Sequence, residues 1–146
     1  MRLGITVLAG CAIVVAAYSG AHAQAKTVWD GVYTQAQAKR GEGVYTQQCA
    51  TCHGDDLKGK EDLKPDPSPS LTGPDLGISF DDVTLDMMAD RIRTSMPKDK
   101  PNTLSREQVA DVVAFILSKN GMPAGKTDLP GATEPQKAIK YLTAKP

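Results

Sequence analysis

Aromatic side chains are scarce: two Phe, four Tyr and one Trp among 146 residues. So few large rings leave a single core short of filling groups, which points to something besides side chains in the interior. Charge of one sign is also missing, since 17 basic residues balance 17 acidic ones. Zero net charge leaves no footprint for nucleic acid, and no basic run points to a membrane surface. No long apolar run follows residue 18, which excludes a multi-span membrane protein. Cysteine and histidine number only three and two. At this length, 40% hydrophobic and 23% charged residues suit one globular domain and not a disordered chain.

Met1-Arg2 is a short basic start, residues 3–18 are mostly apolar and uncharged, and Ala21-His22-Ala23 forms an A-x-A site before Gln24. This layout predicts a signal peptide over residues 1–23, cleaved after Ala23, and export to the periplasm. The apolar run is short of the roughly 20 residues that a spanning helix needs, so no membrane span is expected after cleavage. A rival pattern, Leu8-Ala9-Gly10-Cys11, resembles a lipoprotein box with Cys11 lipidated, although residues 12–17 continue apolar where such a chain turns polar. Residues 24–146 keep two cysteines and one histidine: Cys49, Cys52 and His53.

Those three stand within five positions, in Cys49-Ala50-Thr51-Cys52-His53. C-x-x-C-H in an exported chain points to covalent attachment of one c-type haem. Two thiols three positions apart share one face of a helical turn, so both can add to the vinyl groups of one ring. The adjacent His53 then reaches the iron. A Cys49–Cys52 disulfide would close a very small loop and stabilise little. A zinc site would need ligands that residues 24–146 lack. A thioredoxin-like redox pair is the serious rival, but it belongs in a βαβ pattern and no convincing strands are visible.

No second histidine remains, so a second axial ligand must come from Met87, Met88, Met96 or Met122, or the position is open. Met87 and Met88 fall in an amphipathic helical stretch, where methionine is more often packing than ligand. Met122 follows the last helix. Met96 precedes Pro97, which cannot continue a helix and biases Met96 towards an extended conformation. Met96 is therefore the expected distal ligand, with Met122 and an open position as the alternatives.

The chain divides into residues 1–23, an N-terminal extension over 24–35 packed through Trp29 and Tyr33, a domain over 36–120, and a C-terminal surface extension over 121–146. A first helix is predicted over about 36–48 and runs into the cysteine motif. Residues 54–82, rich in Gly, Pro, Asp and Ser, predict a loop long enough to wrap a cofactor edge. Thr84 caps a second helix to about Thr94, with Leu85, Met88 and Ile92 on one face. Ser105-Arg106-Glu107-Gln108 is a capping box for a third, in which Val109, Val112, Val113, Ile116 and Leu117 follow at helical spacing until Asn120-Gly121. The tail is expected to lie extended over the surface. Three or more helices around one cofactor make an all-α fold.

From Gly41 to Leu117 the chain resembles a class I cytochrome c. By that resemblance Gly41 and Tyr45 belong to a first helix that crosses the last near Phe115. Pro69-Ser70-Leu71-Thr72-Gly73 resembles the family's P-x-L-x-G segment. The match implies that the Pro69 carbonyl accepts a hydrogen bond from His53, and that Leu71 packs on the haem. Met96-Pro97 resembles the distal ligand loop. Trp29-Asp30-Gly31-Val32-Tyr33, residues 91–97 and residues 120–125 are similar to small bacterial cytochromes linked to quinoprotein dehydrogenases.

The expectation is a periplasmic carrier with His53 and Met96 on the iron, passing one electron from a dehydrogenase, for which the resemblance names a quinoprotein, to a terminal oxidase or another cytochrome. A haem peroxidase or a gas sensor would need an open sixth position, and a fixed subunit of a dehydrogenase complex would keep the electron transfer. Arg91, Arg93, Lys98, Lys100 and Arg106 form a basic stretch around Met96 that is either solvated surface or a docking patch for an acidic partner.

Overall fold

The computed structural model describes residues 26–146. The signal segment, its cleavage site, Cys11 and the first two residues of the N-terminal extension lie outside the described residues. In chain order the elements are β1 (Lys26–Thr27), a 3-10 turn (Val28–Asp30), α1 (Gln35–Gln48), α2 (Ala50–His53), α3 (Gly73–Phe80), α4 (Leu85–Ser95), α5 (Arg106–Lys119), α6 (Thr133–Lys137) and β2 (Ile139–Lys140). The all-α expectation holds, with one addition: the two short strands pair in parallel. Among the described residues no helix is long and apolar enough to cross a membrane.

The centre of the fold is the crossing of α1 and α5. Thr34 caps α1 by accepting the Gln37 N–H at 3.0 Å. Gly41 faces α5 so closely that a Cβ there would stand 1.8 Å from the Asp111 carbonyl oxygen. Only glycine permits that approach. One turn on, the Tyr45 and Phe115 rings meet with centroids 5.1 Å apart, tilted by 48°. The predicted capping box of α5 is present: Ser105 Oγ accepts the Gln108 N–H and Gln108 Oε1 accepts the Ser105 N–H. From Val112 to Leu117 every residue of α5 is buried, because α1 packs on it and α4 and the tail close around it.

Three expectations need correction. Residues 54–82 are not all loop, since α3 occupies Gly73–Phe80. Pro74 stands in its first turn, where the missing N–H costs nothing. Met87 is not packing: it is 58% exposed, whereas Leu85 and Met88 of α4 are buried. Nor does the C-terminal extension simply lie on the surface. It buries Met122, Leu129, Gln136, Ile139 and Tyr141, and burying an apolar side chain of this size stabilises by about 1.5–3 kcal/mol.

The tail is held by specific pairs. Gln37 donates to the Leu129 carbonyl at 2.9 Å and accepts the Leu129 N–H at 2.7 Å. Trp29 Nε1 donates to the Leu142 carbonyl and the Tyr33 hydroxyl to the Met122 carbonyl, as the N-terminal extension was expected to pack. Tyr141 also pairs through its backbone with Asp82 and Val83. The tail therefore clamps the connection between α3 and α4, and so fixes the helix that ends at Met96.

Candidate functional site

Cys49 ends α1 and begins α2; its N–H donates to the Tyr45 carbonyl at 2.8 Å. The next hydrogen bonds, Cys52 N–H and His53 N–H to the Cys49 carbonyl and Gly54 N–H to the Ala50 carbonyl, wind one tight turn. No disulfide joins the two cysteines, of which Cys49 is half-buried and Cys52 exposed. Burial pushes the Cys49 thiol up to about 11, with a further contribution from Cys52. That is the opposite of what a thioredoxin-like pair needs, because such a pair works through a lowered thiol pKa.

His53 is buried, and its Nδ1 stands 3.0 Å from the Pro69 carbonyl oxygen. A carbonyl only accepts, so Nδ1 carries the proton and Nε2 keeps its lone pair for a metal. A hydrogen-bonded pair of loops brings Pro69 there. Lys60 and Ser68 exchange backbone bonds of 3.0 and 3.1 Å, and Leu71 N–H donates to the Leu57 carbonyl at 2.7 Å. Gly59 makes the approach possible: its φ is +76°, and a Cβ would fall 2.2 Å from the Ser68 oxygen and 2.9 Å from the Pro69 oxygen.

Met96 stands on another element. It caps the C-terminal end of α4 in extended conformation, with φ −127° and ψ 147°, its N–H donating to the Ile92 carbonyl. It is half-buried, as are Leu71 and Ile92, which pack against the core from the same connection and helix. Met88 and Met122 lie in the core, and Met122 is further tied by its carbonyl to Tyr33.

Two cysteines on one turn and a buried imidazole whose Nε2 keeps its lone pair form a donor set that fits a c-type haem. The profile of the family "Cytochrome C oxidase, cbb3-type, subunit III" matches residues 36–116. The chain is also 30% identical over 110 residues to cytochrome c-551 of Bacillus subtilis (strain 168), across 73% of this chain and 85% of the relative. This chain belongs to the c-type cytochromes. It is a monohaem cytochrome of the class I fold, with haem c attached covalently through Cys49 and Cys52, and a haem-based electron carrier. The sulfane dehydrogenase SoxCD from Paracoccus pantotrophus also aligns, with a TM-score of 0.42 and 22% identity, over 68% of this cytochrome and 55% of that chain.

Two site features escaped the sequence reading. The Tyr45 hydroxyl donates to the Gly54 carbonyl at 2.7 Å, pinning the end of the cysteine turn to α1. Asn120, read only as a helix end, bonds to the segment that carries Pro69. Of the three segments similar to cytochromes linked to quinoprotein dehydrogenases, 29–33 and 120–125 meet: Gly125 N–H donates to the Tyr33 carbonyl, and a Cβ on Gly125 would strike the Gly31 carbonyl. The basic stretch is partly neutralised. Arg93 pairs with Asp90 and Lys98 with Asp66, while Arg106 donates to Thr133.

Proposed function

We propose that this cytochrome is a periplasmic one-electron carrier whose iron is held by His53 and Met96. The observation that carries the proximal assignment is the 3.0 Å contact between His53 Nδ1 and the Pro69 oxygen. It fixes the ring tautomer, directs Nε2 away from the backbone and makes the imidazole a stronger donor. Met96 is the distal candidate because Met88 and Met122 are committed to the core and Met87 is exposed, whereas Met96 ends α4 extended and half-buried.

When bound, the haem supplies a one-electron couple. With both His53 and Met96 holding the metal, a substrate would find no open place on it, so the group would pass an electron and no bond would be made. A thioether from Met96 would favour the ferrous state and raise the potential, and Leu71 would shield the group from water. Export through residues 1–23 puts the chain in the periplasm. The donor is a dehydrogenase, with a quinoprotein the candidate named by residues 29–33 and 120–125, and the acceptor an oxidase or another cytochrome. Lys98 and Lys100, beside Met96, offer the partner a basic edge; the exposed Lys98–Asp66 pair is weak enough to exchange.

The test is purification of the exported protein, with mass and spectrum taken together. A chain beginning at Gln24 with one covalent haem, whose ferrous spectrum carbon monoxide does not change, is the expected result. Rapid carbon monoxide binding would overturn the carrier in favour of a sensor or peroxidase.

A further inference from the structure

Asn120 lies beyond residues 36–116, which the family profile matches, and does more than end α5. Its Nδ2 donates to the Leu71 carbonyl at 3.0 Å and to the Ile116 carbonyl at 2.8 Å, and its Oδ1 accepts the Gly73 N–H at 2.9 Å. The side-chain amide thus pairs with the backbone on both sides of Thr72, as a neighbouring strand would. These partners also fix which way the amide faces, since carbonyls accept and an N–H donates. Leu71 is held from the other side by the Leu57 carbonyl, and Ser70 Oγ accepts the Thr72 N–H at 3.1 Å. The Pro69 carbonyl is two residues upstream of Leu71, so the position of Leu71 sets where that oxygen stands relative to His53.

We infer that Asn120 is a positioning residue for the proximal ligand: it couples the end of α5 to the Leu71–Gly73 backbone and thereby holds the Pro69 carbonyl on His53 Nδ1. The inference rests on His53 being the proximal ligand, as proposed above. Its consequence is electronic as well as mechanical. A firm Nδ1–H bond makes His53 a stronger donor and stabilises the oxidised iron. Losing Asn120 loosens that bond, weakens the donor and shifts the reduction potential upward.

The experiment compares Asn120→Ala with Gly121→Ala in the haem-loaded protein. Gly121 has φ +78° and no atom within 4 Å of a would-be Cβ, so alanine there strains the same helix end without touching residues 71–73. Three quantities are read: thermal stability, potential, and exchange of the His53 Nδ1 proton in the ferrous state by NMR. Both variants are expected to melt lower. Only Asn120→Ala should raise the potential and speed ring-proton exchange, by about tenfold or more. Asn120→Ser, which retains one short donor, should shift both readouts in the same direction by less, and serves if the alanine variant does not fold.

If Asn120→Ala loses stability yet matches Gly121→Ala in potential and exchange, Asn120 is a helix cap and the inference fails, with the ligand assignment untouched. If the His53 ring protons of the unmodified protein carry no haem-induced shift, the proximal assignment fails and this inference with it.

Discussion

Tyr45→Phe isolates one hydrogen bond at the haem motif. The ring stays against Phe115, 5.1 Å between centroids, and only the hydroxyl that donates to the Gly54 carbonyl is removed. Gly54 is buried, so its oxygen cannot recover the bond from bulk water. An unpaired buried carbonyl costs about 1–3 kcal/mol. The Leu57 N–H also reaches this oxygen, at 3.3 Å, and keeps it partly satisfied. The loss therefore belongs at the lower end, about 1–1.5 kcal/mol. For a domain of this size, about 4 °C of Tm accompanies each kcal/mol, so the variant should melt about 4–6 °C lower. Thermal and denaturant unfolding of the loaded protein, followed by far-ultraviolet circular dichroism, reads both quantities. The denaturant slope should not change, because no surface is added or removed. A Tm within about 1 °C of the parent would show that the hydroxyl contributes nothing to holding the cysteine turn.

Replacing both Cys49 and Cys52 by Ala should give a chain with no covalent haem by mass spectrometry and a much less stable fold; covalent haem retained in the double variant would refute attachment at these thiols. Burial holds the Tyr33, Tyr45 and Tyr141 phenols above their ordinary value near 10. As the pH rises past about 10 the unfolded chain releases these protons first, so stability should be level below that pH and fall above it; denaturant unfolding at stepped alkaline pH checks the sign, and a rise would contradict it. Reversing Lys98 and Lys100 to Glu should slow exchange with the physiological partner, most at low salt. Stopped-flow rates unchanged across ionic strength would leave those lysines as ordinary surface.

The parts of the fold that were legible are those written locally. Ser105 and Gln108 announce α5, and Leu85, Met88 and Ile92 mark the inner face of α4. The same spacing puts Met87 about 100° from Met88, so its exposure was implicit in the pattern. α3 was missed because Gly73-Pro74-Asp75 has a turn's composition, which a helix start shares. The tail was misread because its apolar anchors, Leu129, Ile139 and Tyr141, find their partners more than fifty residues away. No periodicity reports such pairing. At the site, Cys49, Cys52 and His53 were legible from spacing, while the Pro69 contact came only by resemblance. The two glycines that shape the site differ in the same way. Gly41 was visible as a small residue one turn from Tyr45, but Gly59 is explained only by its φ of +76° and by the Ser68 and Pro69 oxygens that a Cβ there would strike.

The central claim is that Met96 completes the coordination of the iron, and its most direct measurement is the sulfur-to-iron absorption band of the oxidised protein in paired variants. Met96→Ala should abolish the band, admit carbon monoxide to the ferrous protein and lower the potential, because a soft neutral sulfur stabilises ferrous over ferric iron. Met122→Ala should keep the band, since Met122 is buried in the core and its carbonyl is bonded to the Tyr33 hydroxyl. A band that survives in Met96→Ala and disappears in Met122→Ala would contradict the assignment.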